Sequence, residues 1–415
     1  MNEIRELNPE EIDAYVRIVA AAYPGMRISS EEDRERLKQR LLKYQAEDPR
    51  VTLHGLFREG RLLGALRLHH FTMNFLGCRV PAGGGGMLAV DLPYKKEHVA
   101  RELMSYLVRH FRERGTPLAI LYPFRPDFYK EMGFGYGAKM SQYRVRPAAL
   151  PKGPSKAHVR YLGMEDRPAM LDCYSRFAQC THGMIERLPS DIAYLMDNPQ
   201  HRGVGYVEEG QIRGYLVFSF DQGESWLQND LHVREFIYET PEALSELLTF
   251  LQTQADQVRQ VVFDTQDESF YFLLIDPRNG SPNIIPSVYH ESNVQGVGLM
   301  YKVIDMPKMF ELLHGRNFGG QTCRLRLTVQ DTFLPQNAGS YLLCFEEGRL
   351  RPADGEQHDV EIRLDIAEFS SLLVGAVDLN SLCRYGLAEV TDTRYVTIAD
   401  RIFAVEEKPV CMTAF

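Results

Sequence analysis

Apolar and polar positions alternate in short runs broken by glycine, and one such unit occurs twice. Gly55-LFREGRLLGALR-Leu68 lies over Gly205-YVEEGQIRGYLV-Phe218 without a gap. Gly55, Glu59, Gly60, Gly64 and Leu66 meet Gly205, Glu209, Gly210, Gly214 and Leu216. Each copy reads as strand, tight turn, strand: a β-hairpin turning at glycine. Downstream, Glu102-LMSY-Leu107 meets Glu246-LLTF-Leu251 in a helix that follows an apolar strand. Another strand comes next, Leu118–Tyr122 in the first copy and Gln260–Phe263 in the second. Residues 1–150 and 151–300 therefore read as two copies of one α/β unit. The joint, Arg146-PAALPKGP-Ser155, is proline-rich and reads as a linker.

Residues 301–415 follow a different pattern. Thr322–Val329 and Ser340–Phe345 alternate as strands. Ile366, Phe369, Leu372 and Leu373 have helical spacing, and Gly375 follows as a C-cap. This predicts a third domain of α+β type.

Composition narrows the function classes. No run reaches the ~18–20 apolar residues of a membrane span. The start of the chain, MNEIRELNPEEIDAY, is acidic and amphipathic, unlike a signal peptide. The seven cysteines form no C-x-x-C pair, which argues against a zinc site or disulfide framework and for a reducing, cytoplasmic setting. A net charge of −9 disfavours nucleic acid as a partner and suits a cationic substrate.

Two elements of the first copy carry candidate chemistry. Met87–Val90 forms a short apolar strand ending at Asp91-Leu92-Pro93. Tyr94-Lys95-Lys96-Glu97-His98 follows, and a helix opens with Val99-Ala100-Arg101-Glu102-Leu103. A basic turn opening a helix suits a pyrophosphate: free backbone N–H groups and the positive end of the helix face the anion. The bland alternative is an ordinary solvated turn. The second element, Pro123-FRPDFYKEMG-Phe134, has the form Phe-Tyr-x-x-x-Gly-Phe at Phe128, Tyr129, Gly133 and Phe134. A short helix ending at Gly133 offers the Tyr129 phenol as a proton donor to a departing thiolate; otherwise the tyrosine belongs to an aromatic core.

In this order and spacing the two elements resemble the GNAT acetyltransferase superfamily. Its phosphate loop reads roughly Tyr-Arg-Gly-x-Gly-x-Gly/Ala, and its later helix carries Phe-Tyr-x-x-x-Gly-Phe. Tyr94, Lys95, Val99 and Ala100 fall on the loop pattern, with Leu103 as its apolar position, while Lys96 and His98 stand where glycines are usual. The resemblance implies acetyl-CoA as cosubstrate, no metal, and a cofactor lying in a splay between two strands. It places Leu88, Ala89 and Val90 against the pantetheine arm. Lys95, Lys96, His98, Val99, Ala100, Phe124 and Arg125 complete the cofactor site, and Tyr129 protonates the CoA thiolate. The run Gly83–Gly86 just before this strand reads as a flexible turn, with a substrate channel kept open by bare backbone as the alternative.

The second copy has Glu239-Thr240-Pro241-Glu242 where the first has Lys95–His98. Proline opens a helix comfortably. Two carboxylates repel a pyrophosphate, each by on the order of 1 kcal/mol near a surface. The run Phe270-YFLLI-Asp276 lacks the glycine. This copy is expected to keep the fold and bind no cofactor.

An active copy, a degenerate copy and a C-terminal α+β domain resemble the Eis (enhanced intracellular survival) family over essentially the whole chain. The fold implied is tandem GNAT-like domains, each a mixed sheet with helices on both faces, plus a sterol-carrier-protein-like domain. Leu364–Gly375 and Gly386 match that domain's helix and turn. The resemblance further implies acetylation of amines of aminoglycosides, sometimes at several positions, and a hexamer; with the net charge and the lack of an apolar span, no nucleic-acid or membrane partner is expected. It also implies the terminal carboxylate, at Phe415, as general base. The end of the chain, Pro409-VCMTA-Phe415, is apolar and uncharged. Burying the Phe415 ring contributes very roughly 2 kcal/mol to docking it; the alternative is a last strand of the third domain. An N–H near Leu88 or Ala89 is a candidate for the oxyanion.

Two other functions stay open on sequence: a catalytically dead binding protein for lipid or another small ligand, and an acetyltransferase for lysine, N-terminal or polyamine acceptors. His69-His70 in a strand points to opposite faces and makes a poor metal pair. Glu31–Arg40 reads as a solvated helix face, Tyr23 and Ser29–Asp33 as possible borders of a cleft, and Trp226 as core.

Overall fold

The computed structural model describes residues 2–223, 228–353 and 355–415; Trp226 lies outside them. The chain forms two compact units. The first is Met1–Gly137 with Leu299–Glu407 and Ala414–Phe415; the second is Ala138–Gly298 with Lys408–Thr413.

The first unit begins with β1 (Asn2–Glu6), α1 (Ile12–Ala22), α2 (Glu31–Glu47), β2 (Val51–Arg58) and β3 (Arg61–Phe75). Then come β4 (Cys78–Val90), α3 (Val99–Glu113), β5 (Leu118–Leu121), α4 (Pro126–Lys130) and β6 (Gly135–Tyr136). Seven strands form one sheet in the order β1, β2, β3, β4, β5, Met300–Val303, β6. The hairpin of β2 and β3 turns at Glu59 and Gly60, both with positive φ (51° and 79°), as a tight two-residue turn requires. Helices cover both faces. Leu53, Phe57 and Ala65 pack with Tyr15, Val19, Leu37 and Leu41 of α1 and α2. Leu56, Leu63, Leu66 and Leu68 pack with Val99, Leu103, Leu107 and Phe111 of α3.

The glycine run is a correction to the sequence reading. Gly83–Gly86 is strand interior, not a flexible turn. A side chain on Gly83 would collide with the Phe111 ring, and one on Gly85 would lie 2.7 Å from Leu107 Cδ1. Alternate residues face the other way, where a Cβ on Gly84 would lie 2.6 Å from the Phe71 ring and 3.1 Å from the Phe415 ring. Bare backbone lets α3 press on one face of β4 and aromatic side chains on the other.

The remainder of the first unit carries a five-stranded sheet in the order Arg349–Arg351, Gly339–Glu346, Cys323–Gln330, Val360–Asp365, Ala388–Val390. The helix Ile366–Leu373 is buried along its whole length and is capped by Asp365, whose side chain accepts from the Ala367 amide at 2.9 Å. It lies so close to β6 that a side chain on Gly135 would collide with the Ala367 carbonyl.

The second unit repeats the plan: its sheet runs Asn293–Gly296, Met140–Val145, Val258–Thr265, Asn229–Tyr238, Gln211–Gln222, Arg202–Glu208, Val159–Leu162. Gly64 and Gly214 do the same job in the two copies. A Cβ on Gly64 would meet the Ala89 carbonyl at 2.7 Å and Val99 at 3.0 Å; on Gly214 it would meet the Ile237 carbonyl at 3.0 Å and Ala243 at 3.1 Å. The division at 150 does not coincide with these units, because Met140–Val145 belongs to the second sheet and Met300–Val303 to the first. Nor is the proline-rich joint a free linker. Val145, Ala149 and Leu150 are core residues of the second unit, because their apolar side chains have a sheet face to bury against.

The tail Lys408–Thr413 is held within the second unit. The Val410 amide donates to the His182 carbonyl at 2.8 Å and the Cys411 amide to Gln266 Oε1 at 2.6 Å. Arg187 donates to the Met412 carbonyl at 3.1 Å while paired with Glu235 at 2.6 Å, both nearly fully buried. Gly183, at φ 92°, leaves room for Val410 to pass 2.7 Å from where a Cβ would stand. The last two residues belong to the first unit.

Candidate active site

The site is organised by the end of β4. Its parallel pairing with β5 runs only from Ala82↔Leu118 to Gly85↔Leu121. Beyond Gly85, β4 continues to Val90 with β3 alone beside it. The two strands thus splay, and Leu88, Ala89 and Val90 lie on the segment that has lost its neighbour. The register against β3 also jumps, from Ala65↔Ala89 to Arg67↔Gly86, which makes a β-bulge at Met87 and Leu88, with Met87 at φ 47°.

Two tyrosines fix the bulge. Tyr15, buried in α1, donates to the Met87 carbonyl at 2.6 Å, and Tyr23, just after α1, donates to the Leu88 carbonyl at 2.5 Å. Burial raises both phenols above their ordinary range. They remain donors, so these two backbone carbonyls are already satisfied and oriented. Sequence reading placed Tyr23 only loosely and missed Tyr15; contacts spanning 72 and 65 residues leave no local signal.

The turn after β4 keeps the backbone shape that glycines usually supply. Lys96 and His98 both adopt left-handed conformations, at φ 71° and 63°. That costs about 1–2 kcal/mol per residue for a side chain with a Cβ. Lys95, Lys96 and His98 are exposed, Val99 is buried and Ala100 half-buried. The Tyr94 ring lies under the Arg61 guanidinium at 5.0 Å. The first turn of α3 has no side-chain cap, so its first N–H groups are left open to a ligand. The corresponding helix of the second unit, Pro241–Gln252, is different. Thr240 caps it, accepting from the Ala243 amide at 3.2 Å. Glu239 there is bound by Arg176 at 2.6 Å and Arg213 at 3.2 Å. A threonine hydroxyl thus takes an amide that α3 leaves open.

Tyr129 sits near the end of α4, 8% exposed, with its ring 6.1 Å from Phe134 and 5.2 Å from Phe128. Burial, with nearby Tyr23 adding to it, pushes its phenol well above the ordinary range, so it stays protonated. Phe124 is 72% exposed and meets the Tyr23 ring edge-on at 5.5 Å. Arg125 is exposed and ion-paired with Asp127.

Phe415 lies against the other side of β4. Its ring is 5.5 Å from His69, 5.1 Å from Phe71 and 5.0 Å from Tyr122. Its carboxyl carbon is 3.2 Å from where Gly86 would carry a Cβ, and Arg67 nitrogens lie 3.5 Å from that same point. Arg67, which sequence reading did not select, therefore brings a charged side chain to the same point as the terminal carboxyl group. Among the described residues, no group of three or more His, Cys, Asp or Glu is arranged to hold a metal, and no helix is long and apolar enough to cross a membrane.

Comparison with known proteins agrees with this architecture. Residues 3–137 and 183–294 each match an acetyltransferase (GNAT) domain family, and residues 309–412 match a sterol carrier protein domain family. An uncharacterized N-acetyltransferase of Streptomyces griseus subsp. griseus is 23% identical, covering 100% of this chain and 99% of its own. One from Streptomyces avermitilis is 23% identical over 74% of this chain and 75% of its own. Among solved structures, a GCN5-related N-acetyltransferase from Anabaena variabilis superposes with a TM-score of 0.82 at 19% identity, covering 100% of both chains. Eis1 from Mycobacterium abscessus superposes with a TM-score of 0.77 at 19% identity, again over 100% of both chains.

Proposed function

Because the chain is a GNAT-type N-acetyltransferase of Eis-like architecture, we propose that it transfers the acetyl group of acetyl-CoA to an amine of a small cationic molecule, using Tyr129 as general acid and the carboxylate of Phe415 as general base. The observation that carries the proposal is the convergence on one strand: the splay and open helix follow the end of β4, Tyr129 shares an apolar cluster with Leu88 and Val90, and the terminal carboxyl group lies beside Gly86.

In this reading Leu88, Ala89 and Val90 line the pantetheine arm. Lys95, Lys96, His98, Val99 and Ala100 surround the pyrophosphate, with Phe124 and Arg125 at the rim. The amine nitrogen attacks the thioester carbonyl and its proton passes to the Phe415 carboxylate. A backbone N–H of the bulge stabilises the oxyanion. The C–S bond then breaks, and the thiolate takes the Tyr129 proton. Arg67 is the cationic side chain beside the carboxylate in this reading.

Aminoglycosides, acetylated at more than one amine, are the first acceptor class to test, beside a polyamine and a lysine peptide. Thiol release from acetyl-CoA with each acceptor decides among them; a panel in which none releases thiol contradicts the proposal. None of the seven cysteines is joined to another, a pattern that suits a cytoplasmic setting. A homo-hexamer is the proposed assembly. Phe272, Ile275, Ile284, Ile285, Val288 and Tyr289 expose more than half of their surface, the kind of apolar area an assembly covers. Sedimentation analysis tests it.

A further inference from the structure

The helix that carries Tyr129 has five residues and cannot hold itself in place. Its end turns at Gly133, at φ 79°, where the Gly133 amide donates to the Lys130 carbonyl at 2.9 Å and the Phe134 amide to the Tyr129 carbonyl at 3.1 Å. The ammonium of Lys302 lies directly against this turn: a side chain on Gly133 would collide with Lys302 Nζ and come within 2.6 Å of Ile366.

Lys302 donates to Asp331 at 2.7 Å, and both side chains are 0% exposed. Asp331 is itself fixed. Its Oδ1 accepts from the amides of Phe333 at 3.1 Å and Leu334 at 2.8 Å, and its Oδ2 accepts from Asn337 Nδ2 at 3.3 Å. Asn337 in turn donates to the Val303 carbonyl at 2.9 Å and accepts from the Met306 amide at 3.1 Å. On its other side the short helix is tied by Lys130, which donates to Glu368 at 2.5 Å. Asp331, Asn337 and Glu368 all come from the sterol-carrier segment, residues 309–412.

A fully buried ion pair is a poor device for stability alone, because apolar residues of the same volume serve as well or better. It does fix one geometry. We infer that Lys302 and Asp331 are positioning residues for the general acid, and that the sterol-carrier domain serves this enzyme as the scaffold that aims Tyr129. The inference rests on the reading of Tyr129 as acid. It gives the third domain a role in catalysis that needs no lipid.

The test is a double-mutant cycle on the full chain with acetyl-CoA and the best acceptor amine. Lys302→Met keeps the volume and removes the charge; Asp331→Asn keeps the turn and weakens the pair, and serves if Lys302→Met does not fold. Tyr129→Phe is expected to lower kcat by about 100-fold. Lys302→Met is expected to lower kcat about 10-fold or more, with KM for acetyl-CoA within about twofold. Combined with Tyr129→Phe it should add nothing further, since the group it aims is gone. A slow Tyr129→Phe beside Lys302→Met and Asp331→Asn variants of wild-type kcat overturns the positioning role alone. So does a combined loss equal to the product of the two. A Tyr129→Phe variant with wild-type turnover overturns the acid assignment, and the positioning role with it.

Discussion

The carboxyl carbon of Phe415 lies 3.2 Å from the point at which Gly86 would carry a Cβ. Gly86 has ordinary negative φ, so a methyl group there strains no backbone and acts only on what it touches. Gly86→Ala should therefore push the carboxylate aside while leaving the fold intact. The expected outcome is a fall in kcat of about 10–100-fold, since displacements well under 1 Å disturb proton transfer. The Kd for CoA, measured by calorimetry, should stay within about twofold. A Gly86→Ala variant of normal turnover removes the carboxylate from the mechanism.

Lys96 and His98 hold glycine's conformation with side chains attached. His98→Gly relieves that strain without removing a lysine from the loop. It should stabilise the protein by about 0.5–1 kcal/mol, a gain reduced by the extra freedom of glycine in the unfolded chain. CoA affinity should be equal or tighter. Lys96→Gly gains the same relief but loses a charge, so CoA should bind more weakly at low salt. Thermal melts and CoA titrations at two ionic strengths separate the effects.

The capped helix of the second unit predicts one CoA per chain. Thr240 accepts the Ala243 amide, and Glu239 is held by two arginines. Titration of the full chain should saturate at a single equivalent. Thr240→Ala alone should not create a second site, because no basic turn precedes that helix. A second equivalent bound by the unmodified protein contradicts this account.

A histidine cluster in the first unit makes stability depend on pH. The Tyr106 hydroxyl lies 3.0 Å from His54 Nδ1 and 3.3 Å from His110 Nδ1. Burial, reinforced by Arg114 and neighbouring histidines, lowers His54 to about 4 and His110 to about 3. An unfolded histidine titrates near ~6.5. Below that value the unfolded chain takes up protons that the native one refuses, so the unfolded state gains. Stability contributed by keeping these rings neutral is complete above about pH 6.5 and is lost as pH falls toward 4. The melting temperature should be flat from pH 8 to 7 and fall by roughly 5 °C or more by pH 4.5. In a His54→Gln/His110→Gln variant the decline should be shallower; an unchanged decline assigns it to the carboxylates.

Much of this site was readable because its signals are local. Gly64 and Gly214 marked the repeat, since both sit where a sheet carbonyl passes close. Tyr129 and Gly133 marked a short helix and its left-handed end within five residues. What stayed hidden depends on residues far apart. Tyr15 and Tyr23 reach β4 carbonyls across more than sixty residues. Arg67 is unremarkable in its strand until Phe415 arrives beside Gly86. Met140–Val145 joins the second sheet because Val258–Thr265 offers it an edge, which no proline count reveals. The Gly83–Gly86 run misled for a related reason: glycine in sequence marks freedom, but here α3 and the aromatic rings consume that freedom.

The most direct measurement of the central claim is thiol release from acetyl-CoA by two forms of the full chain, one ending at Phe415 and one extended by two residues, each with CoA affinity measured in parallel. If the Phe415 carboxylate is the base, the extended form binds CoA as before and loses turnover by about 100-fold or more. Equal turnover of the two forms contradicts the account.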